Sequence, residues 1–158
     1  MANKWLDAVN KDAVEAIIQN NPDAVIVIVG CKDEQKAHFE NKANVIPIGF
    51  VSDRNELSDI YASADVFVNL TRADTLPTVN MESICCGTPV VTFDSCGSPE
   101  LVDEDSGIVV AQDDVGGLVE AINKVKNGEC RFDASQKHGK FDKNSCYGKY
   151  YGVYKSLC

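Results

Sequence analysis

Two carboxylates eight positions apart, Asp74 and Glu82, bracket the stretch of this chain best suited to chemistry. Between them runs Thr75-Leu-Pro77-Thr78-Val79-Asn80-Met81. An apolar run, Asp65-Val-Phe-Val-Asn-Leu70, leads in, and a second, Pro89-Val-Val-Thr-Phe93, leads out. A strand, a proline-containing loop, the start of a helix and another strand place acidic side chains at the carboxyl end of a parallel sheet. The same order presents free backbone N–H groups there. A polyhydroxylated, phosphorylated ligand suits both, because carboxylates accept from hydroxyls and a helix N-terminus donates to phosphate.

Each of these residues also has a purely structural use. An acid in a first helical turn is favoured by the helix dipole, which accounts for Glu82. Aspartate is common in turns, which accounts for Asp74. Pro77 has no N–H and can only shape the loop. Thr78 and Val79 offer N–H groups to a phosphate or sugar, or Thr78 caps the helix instead. Asn80 reaches either the ligand or the loop backbone.

The elements that must position this stretch alternate between two periods. Short β-rich runs cover 24–29, 44–48, 65–70, 89–93 and 107–110. They are continuous rather than alternating, as strands buried on both faces are. Helical stripes lie between them. Ala13, Val14, Ile17 and Ile18 form one, ended by Asn20-Asn21-Pro22. Leu57, Ile60 and Tyr61 form a second, with Ser52 as its expected N-cap. Val115, Leu118, Val119, Ile122 and Val125 form a third, ended by Gly128. Strands alternating with helices predict an α/β, Rossmann-like three-layer domain with a parallel sheet, spanning 1–158 as one unit. A last helix over about 142–158 carries Tyr147, Tyr150, Tyr151 and Tyr154, and it packs on the domain's flank or on a partner domain.

The 158 residues suffice for one core. A net charge of -9 with only three arginines argues against nucleic acid as a partner. No apolar run approaches the roughly 20 residues of a membrane span, and the first residues lack a signal-peptide pattern. The seven cysteines form no Cys-x-x-Cys and fall inside core-like elements, so reduced thiols in a cytoplasmic protein are expected, without a metal site. His38 and His138 lie in polar stretches and read as solvated.

In its motifs the chain resembles the C-terminal, donor-nucleotide-binding domain of family-4-type retaining glycosyltransferases with the two-domain GT-B fold. Phe50-Val-Ser-Asp-Arg-Asn-Glu-Leu57 followed by Ile60-Tyr-Ala-Ser-Ala-Asp65 resembles the family's helix leading to its fourth strand. Asp74 to Glu82 resembles its Glu-x7-Glu motif, with Asp in the first place. Cys86-Gly-Thr-Pro-Val-Val91, Gly97-Ser-Pro-Glu100 and Gly107-Ile-Val-Val110 with Asp113 follow at the family's spacing. Phe141 to Tyr147 with Tyr150 and Tyr154 resembles the C-terminal helix of capsule and O-antigen sugar transferases.

The resemblance implies transfer from a UDP- or GDP-sugar to a sugar hydroxyl, in polysaccharide biosynthesis, with no cofactor and no metal. It implies that Asp74 is the catalytic acid facing the donor sugar and that Glu82 holds the ribose. The backbone of Thr78 and Val79 would then support the diphosphate, with Pro77 and Asn80 beside it. Gly49, Phe50 and Val51 match positions whose backbone meets the nucleobase edge, although a lone Phe50 is more often core than a stacking platform. Gly30 ends a strand where the chain can approach a nucleotide closely. Gly97 and Glu100 read as a structural turn beneath the site.

Departures from the pattern are as informative. The family domain opens on a central strand and then an Arg/Lys pair; here Ala8 and Val9 match the basic pair and the first central strand is missing. Strands 24–29 and 65–70 must then pair directly, leave a gap, or receive a strand from another chain. The expected chain is therefore incomplete alone. Its partners are a sugar or lipid-linked acceptor and an N-terminal acceptor domain or a second copy of itself. Attachment at the inner face of a membrane would come only through that other half. Two rival readings are a non-catalytic nucleotide-binding or assembly module and a nucleotide-sugar epimerase of the same fold.

Overall fold

A computed structural model describes residues 8–130, 132–133 and 139–157. In chain order the elements are α1 (Ala8–Asn20), β1 (Ile26–Ile28), α2 (Asp33–Phe39), β2 (Val45–Pro47), α3 (Arg54–Ala62) and β3 (Phe67–Asn69). They continue with α4 (Thr78–Cys85), β4 (Val90–Phe93), α5 (Ser98–Leu101), β5 (Gly107–Val110), α6 (Val115–Lys126) and α7 (Lys143–Ser156). All five expected strands are present and every pairing is parallel. The short helix α2 carried no apolar stripe, and sequence reading passed over it.

The strands do not form one sheet. β1 pairs with β2, and β3-β4-β5 form a separate sheet. Among the described residues β1 and β3 do not pair directly, the first of the three expected ways to accommodate the central strand. α1 lies across both units: its Val14 packs against Ile18, Phe39 and Val45 on one side and against the Val91–Leu118 core on the other.

The three-stranded sheet is the middle of three layers. One face carries Val91 and Phe93, packed under Ala13, Leu118, Ala121 and Ile122 of α1 and α6. The other carries Val90, packed with Ile84, Leu101 and Val102 around α4 and α5. All four β4 side chains are buried, as its continuous apolar run predicts. β1 differs from expectation. Ile26 and Ile28 face the core, while Val25, Val27 and Val29 are exposed together with Ile46, the neighbour in register on β2. No helix covers that face among the described residues, so the run reads as a strand buried on one side only.

Local signals explain most boundaries. Asp53, not Ser52, caps α3: its Oδ1 accepts from Asn55 and Glu56 N–H at 2.7 and 3.2 Å. Asp114 caps α6 through Gly117 N–H, and Gly128, at φ +68°, follows its end. Asp142 caps α7 through Ser145 N–H. The flank-packing expectation for α7 is not met. None of its side chains is buried, and Tyr147, Tyr150, Tyr151, Tyr154 and Leu157 are all exposed. Two of the tyrosines are instead covered by lysines, Lys143 over Tyr147 and Lys155 over Tyr151. No described helix is long and apolar enough to cross a membrane.

Candidate functional site

The loop from Thr71 to Pro77 leaves β3 and enters α4, and it is fixed from three sides. Asn69, buried at the end of β3, accepts from Thr71 N–H at 3.0 Å and donates from Nδ2 to Asn80 Oδ1 at 2.8 Å. From the β4–α5 turn, Ser95 Oγ donates to Arg72 O at 2.5 Å and Gly97 N–H donates to Asp74 O at 3.0 Å. From the β5–α6 turn, Asp113 holds Arg72 Nε at 2.7 Å. Asp113 itself sits at φ +65°, a conformation aspartate tolerates better than most residues.

Gly97 lies where backbone meets backbone. A Cβ there would stand 2.6 Å from the Thr75 carbonyl carbon and closer still to its oxygen. Only glycine lets the β4–α5 turn press this closely against the loop. Asp74 is exposed, and its Oδ1 accepts from Leu76 N–H at 3.0 Å, which closes the turn. The carboxylate therefore leaves the loop in a fixed direction.

Pro77 is buried and holds the N-cap position of α4 without a side-chain cap bond. Thr78 is therefore the first helical residue, not the cap, which corrects the alternative reading of its hydroxyl. The N–H groups of Thr78 and Val79 belong to the first turn and have no intrahelical acceptor. Asn80 N–H, by contrast, returns to Pro77 O at 3.0 Å. The Asn80 side chain is fully buried against Asn69, so of its two expected uses the structure shows the structural one. Its Nδ2 is buried without an acceptor among the described residues.

Glu82 is exposed one turn into α4, and its Oε2 accepts from the Tyr61 hydroxyl at 3.3 Å. Burial, and then the Glu82 charge, push the Tyr61 phenol up from its ordinary value. Tyr61 is therefore a protonated donor at neutral pH.

A second group gathers at the ends of β1 and β2. Gly30 N–H donates to Gly49 O at 3.1 Å, with Gly30 at φ +82°. Phe50 is 88% exposed, which overturns its reading as core, and Val51 is half-buried beside it. Lys36 brings a cation here, its Nζ 3.5 Å from where a Gly49 Cβ would lie. The two groups stand on separate sheets, one at the carboxyl ends of β1 and β2, the other at those of β3 and β4. A shallow depression on α3, lined by Asp53, Asn55, Glu56, Asp59, Ile60 and Ser63, belongs to neither. Its three carboxylates would repel a phosphate.

Residues 9–145 match the family model described as glycosyl transferases group 1. The chain belongs to that family. It is 36% identical over 99 residues to a GDP-mannose-dependent alpha-(1-6)-phosphatidylinositol dimannoside mannosyltransferase of Mycobacterium tuberculosis, covering 61% of this chain and 26% of that protein. It is 27% identical over 139 residues to the lipopolysaccharide core biosynthesis mannosyltransferase LpsB of Rhizobium meliloti, covering 81% of this chain and 40% of that protein. The fold matches the lipopolysaccharide outer core galactosyltransferase WaaB in its apo form with a TM-score of 0.77 at 14% identity. That match covers 92% of this chain and 45% of WaaB. The chain thus spans less than half the length of these glycosyltransferases, and its architecture is that of a GT-B Rossmann-like domain.

Sequence reading missed two members of the site, and a third polar contact elsewhere. Asn69 was visible as a polar residue inside an apolar strand, where burial demands a partner. Tyr61 was read as part of an apolar helix face, and its hydroxyl was overlooked. His38 was read as solvated, yet its Nε2 lies 3.1 Å from Glu15, which also accepts from Lys42 at 2.6 Å. That cluster joins α1 to α2 and lies outside the site. The six described cysteines are free thiols, and burial pushes those of Cys31, Cys85 and Cys86 up.

Proposed function

We propose that this chain is the nucleotide-sugar-binding half of a retaining glycosyltransferase of polysaccharide biosynthesis. The donor is a UDP- or GDP-sugar and the acceptor a sugar or lipid-linked sugar hydroxyl. One observation carries the reading. The loop that bears Asp74 is clamped from three sides and delivers the chain into α4 with Thr78 and Val79 in its first turn, where N–H groups have no intrahelical acceptor, and Glu82 one turn on.

In this reading the diphosphate lies at the N-terminus of α4, where N–H groups and the helix dipole favour negative charge. Glu82 accepts from the vicinal ribose hydroxyls. Asp74 orients the donor sugar through a carboxylate that the Leu76 N–H already holds. Gly30, Gly49, Phe50 and Val51 receive the base, with the exposed Phe50 ring available to its face. The chemistry needs no metal if the protein itself neutralises the leaving diphosphate. That task falls outside this chain's matched positions, because Ala8 and Val9 stand where the family carries its basic pair. Arg72, on the loop itself, is held by Asp113. Losing a strong electrostatic contact to the leaving group costs about 3 kcal/mol of transition-state stabilisation. The chain alone is therefore expected to show little or no sugar transfer. The N-terminal acceptor half, or a second chain, completes the cleft.

The same two residues favour a second reading, a non-catalytic nucleotide-binding or assembly module. Thermal unfolding with UDP, GDP and their sugar conjugates, repeated with Glu82→Ala, tests the donor-site reading. A ligand at about 100 times its Kd adds about 2.7 kcal/mol. For a domain of this size that is roughly 5–10 °C in Tm. A shift with one nucleotide that Glu82→Ala abolishes supports the donor site. A folded chain that responds to none of them contradicts it.

A further inference from the structure

Tyr61 meets the candidate site through its hydroxyl, which donates to Glu82 Oε2 at 3.3 Å. The residue itself is held firmly. Its ring is buried and sits edge-on to Phe67, with centroids 5.2 Å apart at 82°. Its backbone carbonyl accepts from the buried Thr88 Oγ1 at 2.5 Å. Ring, carbonyl and helix therefore fix where the phenol oxygen lies. Glu82 is the opposite case, an exposed residue with a long side chain that loses rotamer freedom when it binds anything. A rigid donor on one carboxylate oxygen removes part of that loss before the ligand arrives and leaves Oε1 to accept.

We propose that Tyr61 is a positioning residue whose hydroxyl holds Glu82 Oε2 and so pre-aims the carboxylate at a vicinal diol, the ribose of a nucleoside diphosphate. This rests on the donor-site reading of Glu82. The upward push on the phenol's pKa by burial and by the Glu82 charge agrees with the geometry, since a donor to a carboxylate must keep its proton.

The test compares UDP and GDP with their 2′,3′-dideoxy counterparts by calorimetric titration of the whole chain. Tyr61→Phe keeps the ring against Phe67 and removes only the hydroxyl. It is expected to weaken binding of the ribonucleotide about tenfold, the scale of one hydrogen bond to a charged group. The dideoxy compound, which lacks the diol, should bind both proteins alike. Tyr61→Phe added to Glu82→Gln should cost nothing further. Equal losses for ribose and dideoxyribose would make Tyr61 a packing residue and overturn the proposal, as would no loss at all. Wild-type protein that does not distinguish the two sugars would remove the reading of Glu82 itself, a failure separate from that of Tyr61. If Tyr61→Phe does not fold, ring-labelled tyrosine NMR on Glu82→Gln decides. The Tyr61 ring should titrate at lower pH than in wild type, and an unmoved titration overturns the contact.

Discussion

Replacing Gly97 by alanine should disable the site through a single methyl group. The added Cβ would lie 2.6 Å from the Thr75 carbonyl carbon and 3.3 Å from Leu76 N. Carbon atoms in contact rest at about 3.5–4.0 Å and the Thr75 carbonyl oxygen is nearer still, so the loop must recede by at least about 1 Å. The obstructing atoms are backbone and cannot rotate aside. The displacement falls on the segment that carries Asp74, and it breaks the bond from Gly97 N–H to Asp74 O. Overpacking of this kind costs about 1–3 kcal/mol, or roughly 3–10 °C in Tm for a domain of this size. The functional loss should be larger, because a 1 Å misplacement of a positioned group can cost about a hundredfold. The assay is thermal unfolding of Gly97→Ala with and without the nucleotide that stabilises wild type. Gly107→Ala serves as the control. Its Cβ would collide with Val90 in the β4–β5 core and not with the Asp74 loop. Both variants should lose stability, and only Gly97→Ala should lose its response to nucleotide. A Gly97→Ala protein that melts within 1 °C of wild type, on the scale set by the same stability arithmetic, and still responds would refute the reasoning.

Two further outcomes follow from the same geometry. Asn80→Ala strips the buried Asn69 Nδ2 of its acceptor and should cost about 1–3 kcal/mol; chemical denaturation with an unchanged midpoint would show that the amide pair does not hold the loop. Lys42, with a smaller contribution from His38, lowers the Glu15 carboxyl below its ordinary 4.5, against the opposing effect of burial. A depressed folded-state value means the α1–α2 cluster contributes fully above pH 4.5 and fades as pH falls through the lowered folded value. Glu15→Gln should therefore lower Tm at pH 7 and narrow its gap from wild type in acid; a gap that stays constant down to pH 3, by about the usual carboxylate range, would contradict the pairing.

The strands were legible because each is a short β-branched run between turn residues, and α1 and α6 because their stripes ended at Asn-Pro and at Gly. What the sequence hid was relational. The exposed face of β1 depends on which elements cover it, and Val25, Val27 and Val29 look like core residues although no described element packs over them. Ser52 lost the cap of α3 to Asp53 by one position, since either side chain suits an N-cap and only backbone geometry chooses. Phe50 reads as core by type, yet its place after β2 projects it into solvent. The acids at 74 and 82 could be picked by spacing. Of the residues that hold them, Gly97 and Tyr61 lie far from them in sequence and Asn69 sits as a lone polar residue in an apolar strand, and only packing shows what each one touches.

The most direct test watches the two N–H groups themselves. In amide-resolved NMR of the whole chain, addition of UDP or GDP should move the Thr78 and Val79 resonances most strongly. Those of the Asp74 turn should move with them, and Glu82→Ala should weaken the response. A folded protein whose Thr78 and Val79 signals stay fixed at saturating UDP and GDP, or whose shifts are confined to the α3 depression, would contradict the assignment of this loop and helix as a nucleotide-sugar site.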